Sequence, residues 1–248
     1  MKILGVIPAR FDSSRFPGKP LILIEGKSMI QRVYEQCIQT KFLDEVLVAT
    51  DDERIFDTVQ TFGGNVLMTS TQHLNGTSRC YEAYQKIKTN QYKSFDFIIN
   101  IQGDEPYIQP QQIDELCQLF SSKEIEIVTQ VKQETSLELL NNQNIVKAIL
   151  DENNFVLDFT RENPSINPSN YFYKHIGIYG FRADVLSQIT QLQPTKNEHE
   201  RRLEQMRWLD NNYSIKAGIT TFDSISIDAP EDVERALLLK SKLTHHLK

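Results

Sequence analysis

The chain has 248 residues, 40% hydrophobic and 24% charged, with 33 acidic side chains against 27 basic ones and a net charge of -6. Such a composition supports a substantial globular core and excludes a general nucleic-acid binder; neither repeats nor low-complexity tracts occur. After Met1-Lys2 the chain enters a short apolar run and then reaches arginine, so neither a signal peptide nor a membrane span is predicted and a cytoplasmic location is expected. Cys37, Cys80 and Cys117 form no Cys-x-x-Cys pair, which suits reduced thiols better than a disulfide framework or a zinc site.

Ile3 to Ile7, closed by Pro8, has the pattern of a buried strand feeding a loop. The loop from Pro8 to Pro20 sets Arg10, Arg15 and Lys19 among Ser13, Ser14 and Gly18, so three cations and several backbone N–H groups can converge on one anion. A polyphosphate suits that chemistry. Arginine offers a planar fork, lysine a mobile point charge, and the small residues let the backbone approach closely. The alternative is a solvated basic surface loop. Neither Gly-x-x-x-x-Gly-Lys-Ser/Thr nor Gly-x-Gly-x-x-Gly occurs, which disfavours kinase, GTPase and dehydrogenase readings.

Ser28 caps a predicted helix from about 28 to 39 that carries Met29, Ile30, Val33 and Cys37. Glu45 to Thr50 predicts a second strand, and Asp51-Asp52-Glu53 acidifies the first turn of a helix that Gly63-Gly64 stops. A third strand at 65–68, a helix opened by Thr77 or Ser78 and running through about Lys86, and a fourth strand from Phe95 to Ile101 follow. This alternation predicts βαβ units, a mostly parallel sheet and a ligand crevice at the carboxyl ends of its strands. The basic loop, Thr69-Ser70 and Gln102-Gly103-Asp104 each follow one of those strands.

Beyond Pro110 come a predicted helix to about Phe120, a strand at 126–131 and a short helix at 136–140. The rhythm then changes. Val146 to Leu150, Phe155 to Phe159 and Phe172 to Phe181 predict antiparallel strands of a second layer or lobe, with a loop from Glu162 to Asn170. Helices at about 183–190 and 198–210, a strand near 213–219, the segment from Ser224 to Ile227 and a terminal helix opened by Pro230 complete the chain.

Asp104 follows an apolar strand and a glycine, which stands its carboxylate at the sheet edge opposite the basic loop. A carboxylate facing a triphosphate is repulsive without a cation, and magnesium, which takes one or two carboxylates plus phosphate oxygens and waters, resolves that. A turn-capping role is the alternative for Asp104, and more so for Asp228, just before Pro230. Arg161 and His175, at predicted strand positions, could supply a cationic group for a ligand carboxylate, although a histidine on a strand is more often structural. His73, His199, His245 and His246 read as surface residues, and Glu204 and Gln205 sit on a helix face that could be polar for solubility alone.

The first loop, together with Asn75-Gly76-Thr77-Ser78-Arg79, Gln102-Gly103-Asp104-Glu105-Pro106, His175-Ile176-Gly177-Ile178-Tyr179, Leu203-Glu204-Gln205-Met206-Arg207 and Asp228-Ala229-Pro230-Glu231-Asp232, resembles the 3-deoxy-manno-octulosonate cytidylyltransferases. The resemblance runs in order over nearly the whole chain. It implies an α/β, Rossmann-like, mostly parallel sheet flanked by helices, of the nucleotide-diphospho-sugar transferase type, with a smaller mixed or antiparallel second lobe. One domain over 1–248 is expected, with a nucleotide-binding half over about 1–132, a sugar-binding and dimerisation region over about 133–220, and 221–248 returning to the main sheet.

The reaction implied is transfer of CMP from CTP to 3-deoxy-D-manno-octulosonate, with release of diphosphate, for lipopolysaccharide biosynthesis. CTP would be held by Ala9, Arg10, Ser13, Ser14, Arg15, Lys19, Thr69, Gly76, Arg79, Gln102 and Gly103, with cytosine read by Arg79 and nearby backbone in a pocket too small for a purine. Arg10, Lys19, Asp104 and Asp228 would be catalytic, the two aspartates holding Mg2+. The sugar would be bound by Gln102, Arg161, His175, Tyr179, Glu204 and Gln205.

Three positions depart from the family pattern: Thr160-Arg161-Glu162-Asn163 lacks its apolar-proline continuation, Arg201 stands where glutamate is common, and Lys174 where arginine often stands. These changes lie in the acceptor half, so a sialic acid or an amino-modified octulosonate is an alternative substrate, and a non-catalytic nucleotide-binding paralogue a further alternative. The family's homodimers, the aromatic cluster Tyr171-Phe172-Tyr173 and the Trp208 helix lead us to expect a two-fold dimer through the later segment. The alternative is that these aromatics fill the monomer's own core.

Overall fold

The computed structural model describes residues 1–12, 16–90, 93–122, 124–164, 170–223, 226–234 and 236–237. Two compact units emerge, one of residues 1–114 with 224–248 and one of residues 115–223.

The first unit is a parallel α/β layer. Strand β1 (Ile3–Ala9) pairs in parallel with β4 (Glu45–Thr50) and β6 (Phe97–Asn100), and β4 pairs in parallel with β5 (Val66–Met68), giving the order β6-β1-β4-β5. Ile3, Leu4, Val6 and Ile7 are all at or below 1% exposure, the near-continuous apolar run expected of a strand covered on both faces. Between β1 and α1, a short antiparallel ribbon joins β2 (Leu23–Ile24) to β3 (Lys27–Ser28) through Glu25 and Gly26. Both turn residues have positive φ, 49° and 80°, as a tight hairpin turn requires.

Helix α1 (Met29–Cys37) begins where predicted, with the Ser28 side chain accepting from the Gln31 N–H, and α2 (Glu53–Thr61) begins on Asp52, which accepts from the Arg54 N–H. Helix α3 (Gly76–Asn90) differs from expectation at both ends. Its cap is Asn75, whose Oδ1 accepts from the Ser78 N–H at 2.9 Å, so the helix opens before Thr77, and it runs past Lys86 to Asn90. Cys80, Ala83, Tyr84 and Ile87 give it a continuous buried stripe. Helix α4 (Pro110–Gln118) carries the chain across the division at residue 114. Residues 231–234 are helical after Pro230. Cys37, Cys80 and Cys117 are buried thiols.

The second unit holds the antiparallel strands that the change of rhythm predicted, joined by one parallel pairing into a mixed sheet. Strand β7 (Ile127–Glu134) pairs antiparallel with β10 (Phe172–Arg182) and parallel with β11 (Ile215–Thr220), while β8 (Lys147–Leu150) pairs antiparallel with both β10 and β9 (Val156–Thr160). Helix α5 (Leu137–Asn141) is capped by Ser136, and α6 (Ala183–Ile189) buries Val185, Leu186 and Ile189.

The single helix expected over 198–210 is two. A capping box between Thr195 and Glu198 starts α7 (Lys196–Arg201); Arg202, at φ 55°, ends it in a left-handed turn; and α8 (Gln205–Asp210) follows. The break lets Leu203 and Gln205 turn inward, to 5% and 7% exposure, so Gln205 does not lie on an exposed helix face. Of the aromatics read as interface surface, Phe172 and Trp208 are internal, whereas Tyr171 and Tyr173 are half-buried. Trp208, 1% exposed, meets Tyr179 and Phe181 edge-on with ring centroids 5.0 and 5.3 Å apart, and Phe172 is 6% exposed. Among the described residues no helix is long and apolar enough to cross a membrane.

Candidate active site

Parallel strands end together, so their carboxyl-terminal loops share one edge of the sheet. In the first unit that edge opens on a cavity of about 260 Å³ lined by Pro8, Ala9, Arg10, Lys19, Pro20, His73, Leu74, Asn75, Gly76, Arg79, Gln102, Gly103, Asp104 and Asp228. Residues distant in sequence and singled out separately therefore meet. Ser13, Ser14 and Arg15 lie outside the described residues.

The basic loop is shaped by its own backbone. Gly18 N–H donates to Phe11 O at 2.9 Å, Gly18 has φ 71°, and a Cβ there would stand 3.1 Å from the Phe11 ring. The positive φ favours glycine, and the Phe11 ring leaves little room for a side chain. Arg54 stacks on the other partner of this packing, with its guanidinium carbon 3.2 Å from the Phe11 ring centroid. Lys19 follows as the first residue of a short 3-10 turn, Lys19–Leu21.

Lys19 Nζ is the centre of the site's charge. It donates to Asp104 Oδ2 at 2.7 Å and to Asp228 Oδ1 at 3.2 Å, with only 13% of its side chain exposed. Two further contacts hold the two carboxylates in place. Ile227 N–H donates to Asp104 O at 2.9 Å, and the Ile227 side chain is fully buried in a cluster with Ile24, Met29, Tyr107 and Ala236. The turn after Asp228 is capped by Asp232, whose Oδ2 accepts from the Asp228 and Ala229 N–H groups at 3.0 and 2.9 Å. Capping of this turn thus falls on Asp232, and the Asp228 carboxylate faces Lys19. Gly103 packs so closely that a Cβ would lie 2.9 Å from Pro8 O. That contact sets Asp104 against the end of β1.

Arg79, 3% exposed, is bound up with its own surroundings: it donates to Asp51 Oδ2 at 2.6 Å, to Thr69 Oγ1 at 2.6 Å and to Ser70 O at 3.3 Å. Thr69 accordingly stands behind Arg79 rather than on the cavity wall. His73, expected at the surface, instead lines the cavity with 17% of its side chain exposed, its ring between Ser78 Oγ and Glu82 Oε2. The missed signal was the run Ser78, Glu82, Lys86 at four-residue spacing on α3, which places one polar face beneath a histidine just upstream.

In the second unit, the expected sugar-binding side chains fall into two groups. His175, Tyr179 and Glu204 are near one another. A register shift between Ile176 and Tyr179 on β10 brings the His175 and Tyr179 rings to 5.3 Å, although four residues of regular strand would span about 13 Å. Thr129 Oγ1 fills the bulge, 2.9 Å from Ile178 O and 3.0 Å from His175 Nε2. Enclosure by this packing, including Phe159 at 4.9 Å, pushes the His175 pKa down to about 3. His175 is therefore neutral near pH 7 and is not the cation expected for a carboxylate. Burial, and then the charge of Glu204, raise the Tyr179 hydroxyl well above its ordinary value.

Arg161, the other expected cation, lies just past the end of β9. Its Nη1 donates to Gln143 O and Asn144 O at 3.2 and 3.3 Å, while Lys147, fully buried, donates to Asn142 O and Arg161 O, both at 2.9 Å. Arg201, one of the departures, turns onto β9, with Nη1 2.5 Å from Asp158 Oδ1 and 2.8 Å from Phe159 O. Lys174 pairs with Asp223 at 3.4 Å.

A parallel sheet with a polyphosphate-sized polar cavity at its carboxyl edge, a lysine and two aspartates meeting inside it, defines a nucleotidyltransferase-like α/β protein. The chain belongs to the cytidylyltransferase family, whose model matches residues 4–216, and within it to the 3-deoxy-manno-octulosonate cytidylyltransferases. The 3-deoxy-manno-octulosonate cytidylyltransferase of Parabacteroides distasonis is 50% identical over 96% of this chain and 97% of its own length. That of Cytophaga hutchinsonii is 46% identical over 95% and 96%. A solved CMP:2-keto-3-deoxy-manno-octonic acid synthetase complexed with CTP superposes with a TM-score of 0.90 at 35% identity, covering 98% of this chain and 99% of that one.

Proposed function

We infer that the chain transfers CMP from CTP to 3-deoxy-D-manno-octulosonate, releasing diphosphate and giving the CMP-activated sugar. The observation that carries this reading is the meeting of Lys19, Asp104 and Asp228 in one cavity beside Arg10, in a chain whose close relatives bear that name. The reaction needs no covalent enzyme intermediate: the anomeric hydroxyl attacks the α-phosphorus in line with departing diphosphate.

The chain's own work is positional and electrostatic. Arg10, exposed at the cavity, and Lys19 face the phosphates, drawing off charge as the bond to diphosphate breaks. Asp104 and Asp228 already converge on one cation, the Lys19 ammonium, and such a carboxylate pair fits magnesium completed by phosphate oxygens and waters. Bound there, magnesium would neutralise phosphate charge and acidify the attacking hydroxyl. Lys19 would then let go of the carboxylates and turn to phosphate. Gln102 and Gly103 line the same cavity, and Arg79 with Gly76 forms the wall assigned to the nucleoside. Acceptor recognition is assigned to Gln102, Arg161, His175, Tyr179, Glu204 and Gln205. With His175 neutral, Arg161 is left as the cation for the sugar carboxylate, and His175 serves as a hydrogen-bonding group for hydroxyls.

A homodimer, a cytoplasmic location and a role in lipopolysaccharide biosynthesis complete the proposal on family grounds. The exposed Ile149 and Leu157 of the paired strands β8 and β9 now offer apolar surface for the dimer in place of the buried aromatics. Light scattering at micromolar concentration tests assembly, and a mass near 28.7 kDa, rather than twice that, defeats it.

The activity test is diphosphate release with CTP and a panel of keto-sugar acids. Release with 3-deoxy-D-manno-octulosonate is expected. Release confined to a sialic acid or an amino-modified octulosonate would transfer the assignment to a sister synthetase, and CTP binding without release on any acid would make the chain a non-catalytic paralogue.

A further inference from the structure

Apart from the groups assigned to phosphate and metal, the cavity wall between β5 and α3 contains side chains that hold one another. Glu82 on α3 accepts through Oε2 from the Ser70 N–H at 2.9 Å and from His73 Nε2. Its Oε1 takes Lys86 Nζ at 2.8 Å, and the same ammonium donates to Met68 O at 2.8 Å. His73 Nδ1 lies 3.1 Å from Ser78 Oγ, next to the Asn75 cap. One carboxylate thus ties the loop of residues 69–75 to α3 near its start, at His73 and, through Ser78, near its end.

Desolvation would raise the Glu82 carboxyl, but Lys86, the Ser70 N–H and His73 outweigh it and bring it to about 2. The group stays an ionised acceptor near neutral pH, so His73 keeps a proton on Nε2 and turns Nδ1 to Ser78. The ends of the loop are also held, Thr69 and Ser70 by Thr50 and Arg79 and Asn75 by Ser78, and within it Gln72 N–H donates to Ser70 Oγ; the His73–Glu82 contact ties the stretch between those ends to α3. Leu74 is 91% exposed, yet His73, Leu74 and Asn75 all line the cavity. Ordering such a loop only when ligand arrives would cost affinity.

We propose that Glu82 and His73 are positioning residues for the nucleotide: they hold the 69–75 loop ready as the wall against the nucleoside end of CTP, and so set CTP affinity and base choice without touching the reacting atoms. The nucleoside end is indicated because Arg10, Lys19, Asp104 and Asp228 take the charged part of the cavity, whereas Arg79 on this wall is already paired with Asp51. The inference rests on the CTP reading above.

The test uses the full chain and the variants His73→Ala, His73→Gln and Glu82→Gln, read by steady-state diphosphate release, calorimetric CTP binding without acceptor, CTP-to-UTP preference and thermal melting. His73→Ala and Glu82→Gln are expected to raise the KM and Kd for CTP about tenfold or more, with kcat within about threefold and a narrower preference for CTP over UTP. His73→Gln, whose amide can still reach Glu82, is expected to stay within about threefold of the parent in all four. Folded variants with unchanged CTP affinity, or with kcat lowered at unchanged KM, overturn the proposal. Should Glu82→Gln fail to fold, the His73→Ala and His73→Gln pair decides by the same criteria. A parent protein that binds no CTP overturns both readings; a parent that binds CTP normally, beside variants that do too, overturns this one alone.

Discussion

The two units handle polar chemistry in opposite ways. In the first, Lys19, Asp104 and Asp228 come from three distant segments and meet in a cavity where their charges answer one another. In the second, His175 and Tyr179 are enclosed by Phe159, Phe181 and Trp208, and burial drives both toward their neutral forms. The contrast follows from sheet type. Parallel strands deliver every loop that follows them to one edge, so charged residues just past a strand gather there. A residue within an antiparallel strand has its surroundings set by register, bulges and whatever packs on that face. A binding role for the first kind of residue follows from its place in the chain, whereas the second kind can be neutralised by neighbours that no local pattern announces.

Trp208→Ala attacks the aromatic layer and is expected to have the largest effect, a loss of about 3–5 kcal/mol in stability from the cavity it leaves. Chemical denaturation measures it; a loss below about 1 kcal/mol would mean that the layer is not the second unit's core. Asp104→Ala and Asp228→Ala attack the charged cavity, and each should cut turnover at least about a hundredfold with the melting temperature little changed. Near-normal turnover in folded Asp228→Ala would return that residue to a turn-forming role. Gly103→Ala sharpens the geometric side of the comparison. Its Cβ would stand 2.9 Å from a backbone oxygen, so the loop carrying Asp104 must shift, and a fall in kcat of about tenfold with a stability loss of about 1–3 kcal/mol is expected.

His175 gives the pH test. Its pKa is lowered from 6.5 to about 3 in the folded chain, so between those values the unfolded chain binds more protons and stability falls as pH falls. The full contribution is present above about pH 6.5. His175→Gln should therefore flatten the variant's own stability–pH curve between pH 6.5 and 3, so that the parent-minus-variant difference falls as pH falls, and equal slopes in parent and variant would mean that the ring is not enclosed in solution. The smallest effect is expected of Arg201→Ala. Its ion pair with Asp158 is one-third exposed on both sides, so a cost below about 1 kcal/mol is expected, together with an unchanged KM for the acceptor. A changed acceptor KM would make this departure from the family pattern a specificity determinant.

The sequence by itself determined the alternation of strands and helices in the first unit, the switch to antiparallel strands beyond residue 146, and the positions of Lys19 and Asp104 as functional candidates, with Asp228 added by the family resemblance. These were readable because apolar runs, caps such as Ser28 and Asp52, and the loop after each parallel strand are local signals tied to local geometry. Only the tertiary structure decided that Asp232 caps the turn while the Asp228 carboxylate meets Lys19, that Arg202 breaks the expected helix and turns Gln205 inward, and that the Trp208 and Phe172 aromatics are core rather than interface. It also decided that His175 is neutral and that His73 stands on the cavity wall, tied to Glu82. Each of these depends on what packs against a side chain from far along the chain, and desolvation and hydrogen-bond partnership, unlike periodicity, are properties of that surrounding and not of the residue.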